Sequence, residues 1–308
     1  MTEGLLRALS GVPLNAAAAL LLAPLFQGVL RKLTAVVQSR QGPPIRQAYF
    51  DLLKLLGKED IESGESPAMQ RFAACLALAA ALALTALVPM GFPAPLAGGG
   101  DAVLLIYLLT LAGLSTLLAG LAAGSTYALL GISREMMAMV ALEPLFVVAL
   151  LVGALHRHSL RLDALLDGSV YGSRGFPWSG LLMLAVMLAS FQAFVQRVPF
   201  DIAEAETELM EGPLMEYSGP KLALFKLAQM VRLIVHSALF VALFAPWGSG
   251  LAAPLAWLVF WVKVSLLVVG VTLVAATHAR YRIDQAIRYF AVLLAAAAAA
   301  LVLAGYGR

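Results

Sequence analysis

The chain has 308 residues, of which 61% are hydrophobic and only 13% charged, with a mean hydropathy of +0.89 and a formal net charge of +3. That composition lies outside the range of soluble globular domains and specifies an integral membrane protein. A single cysteine, Cys75, excludes an internal disulfide framework or thiolate cluster, and the four histidines show no HExxH or comparable ligand spacing.

Eight apolar runs are long enough to cross a hydrocarbon core of about 30 Å. They cover residues 11–30, 72–90, 102–123, 136–155, 178–196, 222–245, 254–277 and 287–304. Lipid offers backbone amides no partners, so each run should be a helix. The expected fold is an all-α bundle of eight transmembrane helices forming a single membrane domain over residues 1–308. The first run is longer than a signal-peptide core and is followed by Arg31 and Lys32 rather than a cleavage site, so it is read as a retained span.

The loop after the first span reads "QSRQGPPIRQAYFDLLKLLGKED". Its "RQGPP" stretch, with Arg40, Gly42 and Pro43, should make a rigid turn, because glycine permits unusual φ and the paired prolines fix theirs. Tyr49, Leu52, Leu53 and Leu56 then fall at i, i+3, i+4 and i+7, while Asp51, Lys54 and Lys58 lie off that stripe. An amphipathic helix flanked by basic residues such as Arg46 should lie along the membrane surface, with its charged face open to a docked protein. Eight spans put both termini on one side. Thirteen loop lysines and arginines, from Arg31 to Arg288, then share the side of this loop, against Arg7, Arg157, Arg161, Arg174 and Arg308 on the other. The positive-inside rule places the first loop in the cytoplasm and both termini outside.

In the fourth span Glu143 sits beside the span-breaking Pro144, and Glu135 opens the same helix next to Arg134. The two carboxylates are about 12 Å apart along a helix, a distance suited to a relay with water between them. The stretch from Pro199 to Gly212, "PFDIAEAETELMEG", holds five carboxylates. Asp201, Glu204, Glu208 and Glu211 are spaced to line one face of a helix, with Glu206 pointing away and Pro199 in the first turn. Aligned carboxylates repel, so basic partners, shared protons or water must offset them. Glu216 follows shortly after. In the sixth span Gln229, Arg232 and His236 share a face with Lys226 nearby, and the seventh carries Lys263. Charges at bilayer depth usually face a protein interior and mark ion paths. Structural ion pairs, or lysines reaching for the surface, are the plainer alternatives.

Three stretches, "GPPIRQAYFDLLKLLGKED", "GISREMMAMVALEP" and "VPFDIAEAETELMEGPLMEYSGPKLALFKLAQM", resemble the membrane subunit shared by respiratory complex I (its subunit 1) and the membrane-bound nickel–iron (NiFe) hydrogenases. The likeness is closest to the formate hydrogenlyase subunit 4 and hydrogenase-4 component C branch and extends along the whole chain. Complex I members usually carry an "RxGPNRVGP" type of turn and a longer lead into the amphipathic helix. Their absence here weighs against quinone as the substrate.

The resemblance implies a non-catalytic subunit of the inner membrane, without a redox centre of its own, that anchors a hydrogenase arm. The nickel–iron centre and iron–sulfur clusters would reside in partners: hydrogenase large and small subunits, iron–sulfur subunits and antiporter-like membrane subunits. No nucleic-acid partner is implied. Glu135, Glu143, Asp201, Glu204, Glu206, Glu208, Glu211 and Glu216 match the acidic positions of the family's charged path, and Lys263 matches a recurring lysine. Arg232 and His236 join them as buried charges. Arg40, Gly42, Pro43, Arg46, Asp51, Lys54 and Lys58 form the expected docking loop. A quinone-site subunit of complex I and a standalone ion or solute carrier are the competing expectations.

Overall fold

The computed structural model describes residues 2–61, 66–171, 178–248 and 250–307, which are helical apart from their loops and one isolated antiparallel bridge between Asp101 and Arg161. In chain order the helices are α1 (Thr2–Val37), α2 (Gln47–Leu56), α3 (Pro67–Leu87), α4 (Ala102–Ala123), α5 (Thr126–Arg157), α6 (Leu162–Leu165), α7 (Trp178–Phe194), α8 (Glu206–Leu209), α9 (Gly219–Phe244), α10 (Ala253–Thr277) and α11 (Ile283–Gly305). All eight expected apolar runs are therefore helices. Seven are long and apolar enough to cross a membrane, while α7 has 17 residues and spans about 26 Å.

Local chemistry sets several of the boundaries. Asp101 caps α4 by accepting from the Leu104 amide (2.8 Å), and Ser125 caps α5 through the Ala128 amide (3.2 Å). Gly124, with φ 68°, makes the left-handed turn that ends α4. Because α5 starts directly after it, Glu135 lies well inside a helix that begins ten residues before the expected 136. Pro144 does not break that helix either. The chain runs helically from Thr126 to Arg157 through it, because neighbouring helices hold the turn that lacks one amide donor.

The bundle is built around α9, whose most apolar window is 78% buried, against 22–56% for the other candidate spans. It packs on α1, α2, α3 and α10, and α11 closes the far side against α5 and α7. Small residues permit the close approaches: Ala73, Ala74, Ala77, Ala80 and Ala81 are buried on α3, and Ala297, Ala300 and Ala304 on α11.

The amphipathic α2 forms as expected, but its seating differs. Ala48 and Leu52 face the bundle, whereas Phe50, Leu53 and Leu56 are more than half exposed. Those three are free to meet lipid while Asp51 and Gln47 remain on the protein side.

The acidic stretch departs furthest from expectation. Its only helix is the four-residue α8, so Asp201, Glu204, Glu208 and Glu211 do not share a helical face, and Pro199 lies in a turn rather than a first helical turn. Burial of apolar residues at irregular spacing overrides the helical register. Phe200 sits among Tyr281, Tyr289 and Phe290 with ring centroids 5.2–5.3 Å away, and Ile202, Ala203, Ala205 and Leu209 are buried. Gly212 (φ 54°) lies so close to the Ala203 carbonyl that any side chain would collide with it. Tyr217 then ties the segment to α4 by donating its hydroxyl to the Ala119 carbonyl (2.9 Å). The result is a folded cap on one end of the bundle.

Candidate functional site

Two cavities meet under this cap. The larger, about 590 Å³, is lined by Arg31, Asp51, Lys54, Lys58, Arg197, Asp201, Glu204, Glu211, Lys226 and Gln229, among others. The smaller, about 80 Å³, lies deeper in the bundle and is lined by Thr110, Glu135, Glu143 and His236 within an otherwise apolar wall. Gln196 and Arg232 line both, so they form the partition.

Among the described side chains of the acidic stretch, each carboxylate has its own partner. Asp201 accepts from Arg280 at 3.0 Å, Glu208 from Arg134 at 2.6 Å, and Glu211 lies 3.8 Å from Lys226. Glu204 accepts from the amide of Gln229 on α9. Cations and an amide from α5, α9 and the loop before α11 thus offset much of the repulsion among the carboxylates, though Asp201 still feels the charge of Glu204. Asp201 is the most perturbed of these groups. Burial, then the charge of Glu204, push its carboxyl up to about 6 against the pull of Arg280. Glu208 is held below the usual range by the hydrogen bond from Arg134. Glu206 opens α8 but its side chain lies outside the described residues, and Glu216 is half-buried on the cap without lining either cavity.

At the partition, Arg232 donates to the side-chain oxygen of Gln196, whose amide nitrogen donates to Glu135. Gln196 follows the end of α7 with φ 52°, a left-handed conformation uncommon for a residue with a side chain. His236 donates Nδ1–H to the Arg232 carbonyl (2.9 Å), which leaves Nε2 as an acceptor. Beyond Glu135, the small cavity reaches Glu143, with Thr110 of α4 beside it. About five water molecules would fill that volume, and its polar lining gives them partners. Amides and guanidinium groups do not release protons near neutral pH, so a proton crossing the partition would travel between carboxylates and water.

The docking residues divide among surfaces. Lys54 and Lys58 line the larger cavity together with Asp51, which Arg31 contacts at 2.6 Å and Gln47 at 3.0 Å. That pairing, Arg31 first, holds the Asp51 carboxyl below its usual range. Arg40, Gly42 and Pro43 line a separate cleft, and Arg46 is exposed ahead of α2. Lys263 is not brought to the carboxylates of the cap or of α5; the cavity it lines also holds Asp163 and Asp167. Its ammonium donates to the carbonyls of Ala245 (2.6 Å) and Trp247 beyond the end of α9, in a third cavity of about 400 Å³.

Sequence reasoning missed Gln196, Gln27 and Arg197 as members of the site. Arg197 donates to Gln27 at 2.6 Å and faces both the larger cavity and the neighbouring cleft. The available signal was polar side chains in "FQAFVQRVPFD" directly after an apolar run, where water is scarce and hydrogen bonds must be found within the protein.

These features define a class: a multi-pass helical membrane subunit whose charged residues converge on two adjoining cavities under a folded cap. Residues 11–305 match the family model described as NADH dehydrogenase, and the chain belongs to that family. It is 38% identical to hydrogenase-4 component C of Escherichia coli (strain K12) over 84% of this chain and 82% of the relative. It is 34% identical to formate hydrogenlyase subunit 4 of the same strain, covering 85% of this chain and 87% of that one. A subunit of the NADH-quinone oxidoreductase of Ralstonia pickettii (strain 12J) is 34% identical over 84% and 79% of the two chains. A chain of the membrane-bound sulfane sulfur reductase, an archaeal respiratory membrane complex, superposes with a TM-score of 0.86 at 26% identity, covering 98% of this chain and 99% of that one.

Proposed function

We propose that this chain is the membrane anchor and ion-coupling subunit of a complex I-like, membrane-bound nickel–iron hydrogenase of the formate hydrogenlyase type. The observation that carries the reading is the partition, where Arg232, Gln196 and Glu135 join a cavity rich in ionisable groups to a small one reaching Glu143. The similarity to hydrogenase-4 component C and formate hydrogenlyase subunit 4 supports the redox partner.

In this reading the cap faces the cytoplasm and both termini lie outside, as the loop lysines and arginines favour. The nickel–iron centre and iron–sulfur clusters reside in docked large, small and iron–sulfur subunits, which rest on the cap and on the α2 loop through Arg46, Lys54 and Lys58. Redox chemistry in that arm changes the protonation of Asp201, which feels the charge of Glu204 beside it. Water carries the proton past Gln196 to Glu135 and then to Glu143, which passes it laterally to an antiporter-like subunit. Gln229, Arg232 and Arg280 hold the carboxylates in place; none of them is a carrier.

Gentle purification of the complex containing this chain, followed by subunit identification, tests the assignment. A nickel–iron large subunit is the expected result, and its absence would sink the hydrogenase reading. The size of the larger cavity and the likeness to the NADH-quinone oxidoreductase chain favour a second reading, a quinone-reducing complex. Sensitivity of NADH oxidation by membranes to quinone-site inhibitors would select it.

A further inference from the structure

Beside the larger cavity lies a cleft of about 400 Å³ that the coupling route does not use. It is walled by the last turns of α1 and by the 38–44 loop. That loop is folded firmly back on the helix: the Arg40 amide donates to the Ala35 carbonyl (2.6 Å), and Lys32 Nζ donates to the Gln41 carbonyl (2.7 Å). Gly42 takes φ 62° so that the turn can press against Ala35. The fold-back brings Arg40 to the same cleft as Arg31 and Arg197, with Gln27 and Thr34 between them.

Three guanidinium groups therefore line one cleft whose lining, among the described residues, contains no carboxylate. Asp51, which holds Arg31, lines the neighbouring cavity instead. The Arg40 side chain hydrogen-bonds the neutral Gln38, and Arg197 the neutral Gln27, although Arg197 also feels the charges of Glu204 and Asp201 in the neighbouring cavity. Forked donors of this kind match phosphoryl oxygens. Asp51 balances Arg31, and Glu204 and Asp201 act on Arg197 from the next cavity, so the charge a bound anion would chiefly offset is that of Arg40, with the other two guanidinium groups adding donors.

The depth of the cleft identifies the anion. The apolar part of α1, Ser10–Val37, has 28 residues and is about 42 Å long, against about 30 Å of hydrocarbon. Its last turns, from Arg31 onward, reach the headgroup layer. Val36, Val37 and Ile45 are exposed around the cleft, as residues meeting acyl chains would be. We infer that this cleft binds the phosphoryl headgroup of an anionic membrane phospholipid, held by Arg31, Arg40 and Arg197. The lipid would pin the 38–44 loop to the bilayer whatever the redox partner is.

Free inorganic phosphate has the same chemistry, so the test separates the two sources. The intact complex, extracted in mild detergent, is mixed with micelles containing phosphatidylglycerol or phosphatidylcholine, and retained lipid is counted by native mass spectrometry. Phosphatidylglycerol should be retained in preference to phosphatidylcholine. Arg40→Gln should lower that retention about fivefold, and the double variant Arg40→Gln/Arg197→Gln about 25-fold, as the loss of one and two interfacial charges implies. Arg40→Lys should restore most of it. Arg40 is exposed, so its variants leave the bundle intact even where the double variant does not assemble. Equal retention of the two lipids, or wild-type retention in Arg40→Gln, would overturn the proposal. Displacement of phosphatidylglycerol by an equal concentration of inorganic phosphate would overturn the lipid as its source.

Discussion

The two ends of the bundle each hold a cation beside α9, and the kind of partner it meets separates them. Lys263 donates to the carbonyls of Ala245 and Trp247, just past the end of α9, where the helix dipole also favours positive charge. Backbone carbonyls neither titrate nor change rotamer, so this contact is a fixed cap. Arg232 and Arg280 instead meet Gln196 and Asp201, whose side chains can rotate or take up a proton. A charge inside a span is therefore not by itself the sign of an ion path. What matters is whether its partners can exist in two states.

Substitutions at the two ends should behave oppositely. Glu143→Gln keeps shape and removes the proton, so ion pumping by the reconstituted complex should fall by at least about 100-fold, in the range of lost acid–base groups. Assembly and hydrogen turnover in uncoupled conditions should survive. Undiminished pumping in that variant would reduce this end of the bundle to scaffolding as well. Lys263→Met should do the reverse. Loss of its charged hydrogen bonds should cost about 2 kcal/mol of stability, seen as earlier thermal unfolding of the complex, with the ratio of ions moved per turnover unchanged. A changed ratio would place Lys263 on the path and erase the contrast.

Much of this was legible in the sequence. Each apolar run became a helix because hydrocarbon leaves the backbone no other choice. The α2 helix was legible from its spacing, since Leu52 does pack inward; which apolar residues stay outside depended on what α1 and α9 leave uncovered. The acidic stretch could not be read from periodicity. Its register matched a helix, but Phe200 and Ile202 bury together against Phe290 and Ala286, Leu209 buries as well, and Gly212 required a close backbone approach that no helix provides. Likewise, nothing in the spacing reveals that Gln196 touches both Glu135 and Arg232, because those contacts join α5, α9 and the turn after α7, which are distant in sequence.

The switchable end should also show itself in pH dependence. Asp201 stands at about 6 in the folded chain against an ordinary 3.8. Because the folded value is the higher one, the folded chain binds more protons between those values. The stability contributed by protonated Asp201 is complete below 3.8 and is lost as pH rises through about 6. Asp201→Asn should therefore flatten the thermal stability of the complex across that window and remove an inflection near pH 6 from the pumping rate. An unchanged inflection would move the titration to another group.

The smallest effect is expected at Glu208. Its pair with Arg134 is short, at 2.6 Å, but the Glu208 side chain is 52% exposed, so water and salt compete for both charges. The cap is held elsewhere, by the aromatic cluster around Phe200, by Tyr217 on Ala119 and by Asp201 on Arg280. Glu208→Gln should leave thermal stability unchanged at physiological salt. It should speed amide hydrogen exchange only in α8, an effect that the wild type should mimic when acidified enough to protonate Glu208. Destabilisation as large as that of Lys263→Met would mean that the cap hangs on a surface charge rather than on its buried anchors. The two ends would then differ in strength, not in kind.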